Sequence, residues 1–114
     1  MNIRPNILPA DSLSQVLFVH NYFQLVFQHS GFSIYNAATL CSYGVSFRQG
    51  QPGFCDRLVG LIGQTLLAAD VSDDSSLVLT FQDGSALSAG SAGLGPEAWQ
   101  YNSLGCSTVV AQNA

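Results

Sequence analysis

Apolar and polar side chains trade places at nearly every step near the start of the chain. Leu13, Gln15, Leu17 and Val19 fall on one side and Ser14, Val16, Phe18 and His20 on the other; Phe23, Leu25 and Phe27 then alternate with Tyr22, Gln24, Val26 and Gln28. A period of two predicts strands. His29-Ser30-Gly31 reads as a turn in which glycine is free to take positive φ, and Phe32-Ser33-Ile34-Tyr35-Asn36 as the returning third strand. The expectation is an antiparallel meander over about residues 13–36. Residues 37–61 are the least regular part. Gly50-Gln51-Pro52-Gly53 breaks the pattern, and Asp56 is placed to N-cap a short helix through Arg57-Leu58-Val59, so this stretch is expected to be a linker with one short helix near 55–61.

The first pattern then recurs. Ile62-Gly63-Gln64-Thr65-Leu66-Leu67 echoes Leu13-Ser14-Gln15-Val16-Leu17-Phe18, and Leu77-Val78-Leu79-Thr80-Phe81-Gln82 echoes Phe23-Gln24-Leu25-Val26-Phe27-Gln28. The second copy turns at Asp83-Gly84, a two-residue hairpin signal, and Val71-Ser72-Asp73-Asp74-Ser75-Ser76 lengthens the loop before it. The expected fold is mainly β. Two three-stranded antiparallel meanders, the second over about 62–90, form a pseudo-repeat packed as a small sandwich or half-open barrel, with a C-terminal segment over 91–114.

With 114 residues the chain has room for one domain and one core. Hydrophobic residues make up 47% and charged residues only 9%, the opposite of a disordered composition. The net charge of −4, with no lysine and only Arg4, Arg48 and Arg57, argues against nucleic acid or anionic lipid as a ligand. A basic protein partner suits it better. No formal charge lies between Asp11 and Arg48, yet His20, Asn21, Gln24, Gln28 and His29 interrupt the apolar runs too often for a membrane span. The first residues do not read as a secretion signal, and Cys41, Cys55 and Cys106 are an odd number at irregular spacing. Free buried thiols in a cytoplasmic protein are the expectation.

Leu61-Ile62-Gly63-Gln64, then Leu77-Val78-Leu79-Thr80-Phe81-Gln82-Asp83-Gly84-Ser85-Ala86-Leu87, then Gly95-Pro96-Glu97-Ala98-Trp99 occur in that order. Together with Asn21-Tyr22-Phe23-Gln24-Leu25-Val26-Phe27, they resemble the plan of a family of small, β-rich bacterial proteins. The likeness runs over about residues 13–101. Some relatives in that family look like immunity proteins of polymorphic or contact-dependent toxin systems. The resemblance therefore implies an inhibitor that binds a cognate toxin domain. The segment Gly90–Gly95 departs from the plan in being richer in glycine.

Signatures of catalysis are sparse. The absence of lysine removes the P-loop, Schiff-base and Ser-Lys mechanisms, and Gly90-x-x-Gly93-x-Gly95 has the wrong order for a dinucleotide fingerprint. A Cys/His nucleophile or a zinc site drawn from His20, His29 and the three cysteines lacks local spacing. Asp73 and Asp74 lack the alternation and the terminal Glu of a calcium loop. No metal, cofactor or catalytic residue is expected. The expected activity is that of an immunity protein that blocks the active site or substrate groove of a basic toxin domain. Asp70, Asp73, Asp74, Asp83 and Glu97 would imitate phosphate, with Trp99 and Tyr101 as anchors. The uncharged residues 12–47 either add contacts or form a homodimer seam. A small-ligand-binding or structural subunit, and a small Cys/His enzyme, are the competing readings.

Overall fold

The structure, a computed structural model, describes residues 7–72, 74–90, 92, 93, 95–103 and 108–113. Ten strands and one helix follow in the order β1 (Gln15–Val19), β2 (Tyr22–Phe27), β3 (Ser30–Ile34), β4 (Ala38–Ser42), β5 (Val45–Arg48), α1 (Phe54–Val59), β6 (Leu66–Val71), β7 (Leu77–Phe81), β8 (Ala86–Ala89), β9 (Glu97–Ser103) and β10 (Val109–Gln112). They form two antiparallel sheets of five strands, ordered β1-β2-β3-β9-β10 and β5-β4-β8-β7-β6. The sheets pack face to face as a sandwich and do not close into a barrel.

The mainly β fold and the two meanders, β1-β2-β3 and β6-β7-β8, are as expected; the strand count is not. The stretch expected to be a linker contains β4 and β5, and the C-terminal segment contains β9 and β10. The arrangement has a plain physical cause. A three-stranded meander leaves the outer edge of its last strand unpaired, and each half of the chain covers the edge left by the other. The β4-β5 hairpin, which follows the first meander, pairs with β8 of the second; the β9-β10 hairpin, which follows the second, pairs with β3 of the first. The halves thus exchange hairpins.

Equivalent positions confirm the pseudo-repeat in the central strands. Phe23, Leu25 and Phe27 point inward from β2 as Leu77, Leu79 and Phe81 do from β7. Leu25 faces Phe32 across β2-β3 as Leu79 faces Leu87 across β7-β8. The leading strands match less well: Leu13 is buried but its echo Ile62 is exposed, and Leu66 is buried but its echo Leu17 is exposed. Between the sheets lies one core, with Trp99, Phe23, Phe27, Phe32, Phe54 and Phe81 almost wholly shielded. Each such aromatic removes about 150–250 Å² from water, which makes these rings the main favourable term.

The turns differ in detail from expectation. The β2-β3 turn is Gln28-His29, and Ser30 and Gly31 already belong to β3. Gly31 is needed for room, because a Cβ there would lie 2.9 Å from the Leu25 carbonyl oxygen. At Asp83-Gly84 the loop holds three residues, not two. Phe81 N donates to Ser85 O, Gly84 N donates to Phe81 O, and Gly84 takes φ 91°, the pattern of a type I turn closed by a glycine bulge. Tyr43 (φ 51°) and Gly44 (φ 78°) make a two-residue turn with both residues left-handed, which joins β4 to β5. Asp56 does not cap α1. Gly53, at φ 93°, is the N-cap and Asp56 sits in the first turn. The helix packs on β4 and β1, burying Phe54 and Leu58 four residues apart, with the Phe54 ring edge-on to Phe23 at 5.9 Å.

Candidate functional site

The expected acidic surface does not assemble in one place. Successive loops of a meander emerge at opposite ends of the sheet, so Asp74, in the β6-β7 loop, and Asp83, in the β7-β8 loop, are separated by the length of β7. At about 3.4 Å per residue that strand spans roughly 17 Å. Asp70 is on β6 and exposed. Glu97 opens β9 in the other sheet, at the Asp74 end of the sandwich, because Trp99 two residues on bonds to Ser75. Asp73 lies outside the described residues. Two of these carboxylates serve the local backbone: Asp74 Oδ1 accepts from Ser76 N at 3.1 Å and Asp83 Oδ1 from Ser85 N at 2.8 Å. The backbone hydrogen bond from Ser76, followed by one from its side chain, holds the Asp74 carboxyl below the ordinary aspartate value.

The two expected anchors are core residues. Trp99 and Tyr101 point inward from β9, and the Tyr101 ring lies against Phe32 with centroids 4.9 Å apart. Alternation in a half-buried strand puts Trp99 and Tyr101 on one face and Gln100 and Asn102 on the other.

It is the uncharged part of the chain that forms a continuous surface. Across the outer face of the first sheet, one cross-strand row reads Leu17-Gln24-Ser33-Gln100-Val110, and the next reads Gln15-Val26-Gly31-Asn102. A third brings the Tyr22 and Tyr35 rings together, their centroids 5.3 Å apart. Hydrogen bonds tie the amides in place. Gln24 Nε2 donates to Ser33 Oγ at 3.1 Å, Gln100 Nε2 to Asn102 Oδ1 at 3.1 Å, and Thr108 Oγ1 to the same Asn102 oxygen at 2.9 Å. The one formal charge in these five strands, Glu97, lies in phase with inward-facing Trp99. Where Gly31 has no side chain, a depression of about 470 Å³ opens between Val26 and Asn102. The corresponding row of the second sheet, Arg48-Thr39-Ser88-Val78-Asp70, has a charge at each end and small side chains between.

A second feature is a cleft of about 780 Å³ between the chain after β3 and the segment before β9, lined by Tyr35, Asn36, Gly93, Pro96 and Glu97 among others. Its wall is a bonded network. The buried Asn36 donates through Nδ2 to Gly90 O (2.7 Å) and Asn113 Oδ1 (2.6 Å), and Asn113 Nδ2 donates to Gly95 O (2.6 Å) and Glu97 O (3.1 Å). A Cβ on Gly93 would overlap the Asn36 carboxamide, which gives that position of the glycine-rich segment a steric reason.

His20 sits in the β1-β2 turn, and His29, in the β2-β3 turn, donates through Nδ1 to Asp11 Oδ2 at 2.9 Å. Cys41 and Cys55 are free, but exposed where burial was expected, and Cys41 Sγ meets Ser46 Oγ at 3.2 Å. Cys106 lies outside the described residues. Among the described residues no three His, Cys, Asp or Glu side chains gather as a metal site, and no helix is long and apolar enough to cross a membrane. Comparison of the chain with protein-family models, with curated proteins and with solved structures finds no match.

Proposed function

We propose that this protein acts by binding another protein in the bacterial cytoplasm, with the charge-free outer face of the first sheet as its docking surface. The sequence resemblance points to a toxin domain of the same cell as the partner, which makes the chain an immunity protein. The observation that carries the reading is the row Leu17-Gln24-Ser33-Gln100-Val110, flanked by Tyr22 and Tyr35. Cores of protein interfaces are poor in charge and rich in tyrosine, and amides already held by neighbours lose little freedom on binding. A broad face suits a folded partner better than a small molecule, and the depression over Gly31 offers a seat for one projecting side chain. No chemical step is required of such an inhibitor. Because the acidic groups are dispersed, affinity rests on shape and amide contacts more than on imitation of phosphate.

The test is coexpression with the product of the neighbouring upstream gene, followed by copurification and growth rescue. Copurification with rescue, abolished by Gln24→Lys on a chain that still folds, is the expected result. Absence of both binding and rescue overturns the reading. The cleft beside Tyr35 and Glu97 favours the small-ligand alternative, for which native mass spectrometry of the purified chain would reveal a retained molecule.

A further inference from the structure

The two sheets have four edge strands: β1, β10, β5 and β6. An edge presents unpaired backbone groups, and proteins blunt it with charge, a bulge, proline or a cover. Three of the four edges carry such a device. On β6 there are a bulge between Leu66 and Ala68 and the carboxylate of Asp70. On β5 Arg48 supplies charge, and the Arg57 guanidinium lies over the Phe47 ring at 5.4 Å. β10 is only four residues long, and its pairing with β9 shifts at Ala98, between the Ala111 and Gln112 pairs.

β1 carries no charge, bulge or proline. It is Gln-Val-Leu-Phe-Val, uncharged and in unbroken register with β2 over all five residues. Leu17, Phe18 and Val19 stay 40%, 47% and 43% exposed although α1 packs nearby. The apolar surface continues beyond the strand: Val59 of α1 is exposed, and so is Ile62, held beside Leu13 by the bond from Gly63 N to Leu13 O.

We infer that β1 is a dimer edge, where a second copy of this chain adds its own β1 in antiparallel register about Leu17. A two-fold interface sets the central residue against its own copy and every other residue against the one at the mirrored position, so a charge at or near the axis meets like charge. β1 avoids this. Centred on Leu17, the register opposes Leu17 to Leu17, Val16 to Phe18 and Gln15 to Val19. Apolar side chains meet on the inner side, and the half-exposed Phe18 is covered. With a net charge of −4 two copies repel each other, and the uncharged span from Asp11 to Arg48 is where they approach at least cost. The result is one sheet of ten strands. Its outer face joins the two amide rows end to end at Leu17 and remains open, so this inference stands independently of the partner proposed above.

The experiment is light scattering on the eluting peak of a sizing column over a roughly hundredfold range of concentration, with hydrogen exchange at both extremes. The expected result is a dimer at the high end whose β1 amides exchange more slowly than in the diluted protein. Leu17→Lys should raise the dimer dissociation constant about tenfold or more, with the melting temperature unchanged at dilutions where both proteins are monomeric. Leu67→Lys, at an exposed position of β6, should leave the dimer intact. A monomer at every concentration overturns the inference. So does a dimer that survives Leu17→Lys, or one whose β1 amides exchange as fast as in the monomer.

Discussion

The indole Nε1 of Trp99 donates to the carbonyl of Ser75 at 2.8 Å and so ties a strand of one sheet to a loop of the other. Ser75 adopts φ 68°, a left-handed conformation that serine seldom takes, and the bond holds its carbonyl toward the core. Trp99→Phe keeps most of the apolar volume but strands that carbonyl. A loss of about 1–3 kcal/mol is expected in urea denaturation, with faster hydrogen exchange confined first to residues 72–76.

Two glycines separate close approach from mere flexibility. Gly31→Ala places a Cβ against the Leu25 carbonyl oxygen and should cost about 1–3 kcal/mol. Gly90→Ala meets nothing within 4 Å and should fall within about 0.5 kcal/mol of the parent. Paired thermal melts check both; equal losses at the two sites would refute the steric account of Gly31.

Gln24→Lys sets a charge in the middle of the uncharged row while its Cβ stays on the outer face. Binding of the proposed protein partner should weaken at least about tenfold with the melting temperature unchanged. Asp74→Asn should leave the affinity alone, and raising salt should change it little. Calorimetry of the complex at two ionic strengths reads all three.

The carboxyl of Asp74 titrates below its ordinary value because the ionised form accepts from Ser76. A lowered pKa in the folded state stabilises the loop above the unfolded pKa, and the contribution fades as pH falls through the folded one. Carboxyl carbon shifts followed by NMR should show Asp74 ionised further into acid than an aspartate in a short peptide. Asp74→Asn should remove the acid-induced loss of protection at the Ser76 amide, measured relative to its intrinsic exchange rate at each pH.

Cys41 and Cys55 are exposed and unpaired, so both should react with a thiol reagent in the native protein without denaturant. Mass mapping of the labelled peptides identifies them.

Period two in β2 and β7 was legible because those central strands bury one whole face, which forces strict alternation. The hairpin of β4 and β5 was not, since its turn is Tyr43-Gly44 rather than Asn-Gly or Asp-Gly. Leu40 and Ser42 alternating with Thr39 and Cys41 was the signal that could have found it. That the described acidic residues do not gather has a related reason. Proximity along the chain says nothing about which end of a meander a loop occupies, and Asp74 and Asp83 fall at opposite ends. Trp99 and Tyr101 could have been read inward from the alternation Trp99, Tyr101 against Gln100, Asn102. The uncharged stretch, noticed first as a gap in the charge pattern, gained a shape only when pairing set Gln24, Ser33 and Gln100 in line.

Exchange of hairpins between the halves also sets a schedule for biosynthesis. The outer edge of β3 is covered by β9, and Glu97 follows Ile34 by 63 positions. At about 5–20 residues per second a ribosome needs roughly 3 to 13 s to deliver that cover. Throughout that interval the first meander stands with Phe32 and Ile34 beside an open backbone edge, which is the period in which a nascent chain of this kind most needs a chaperone.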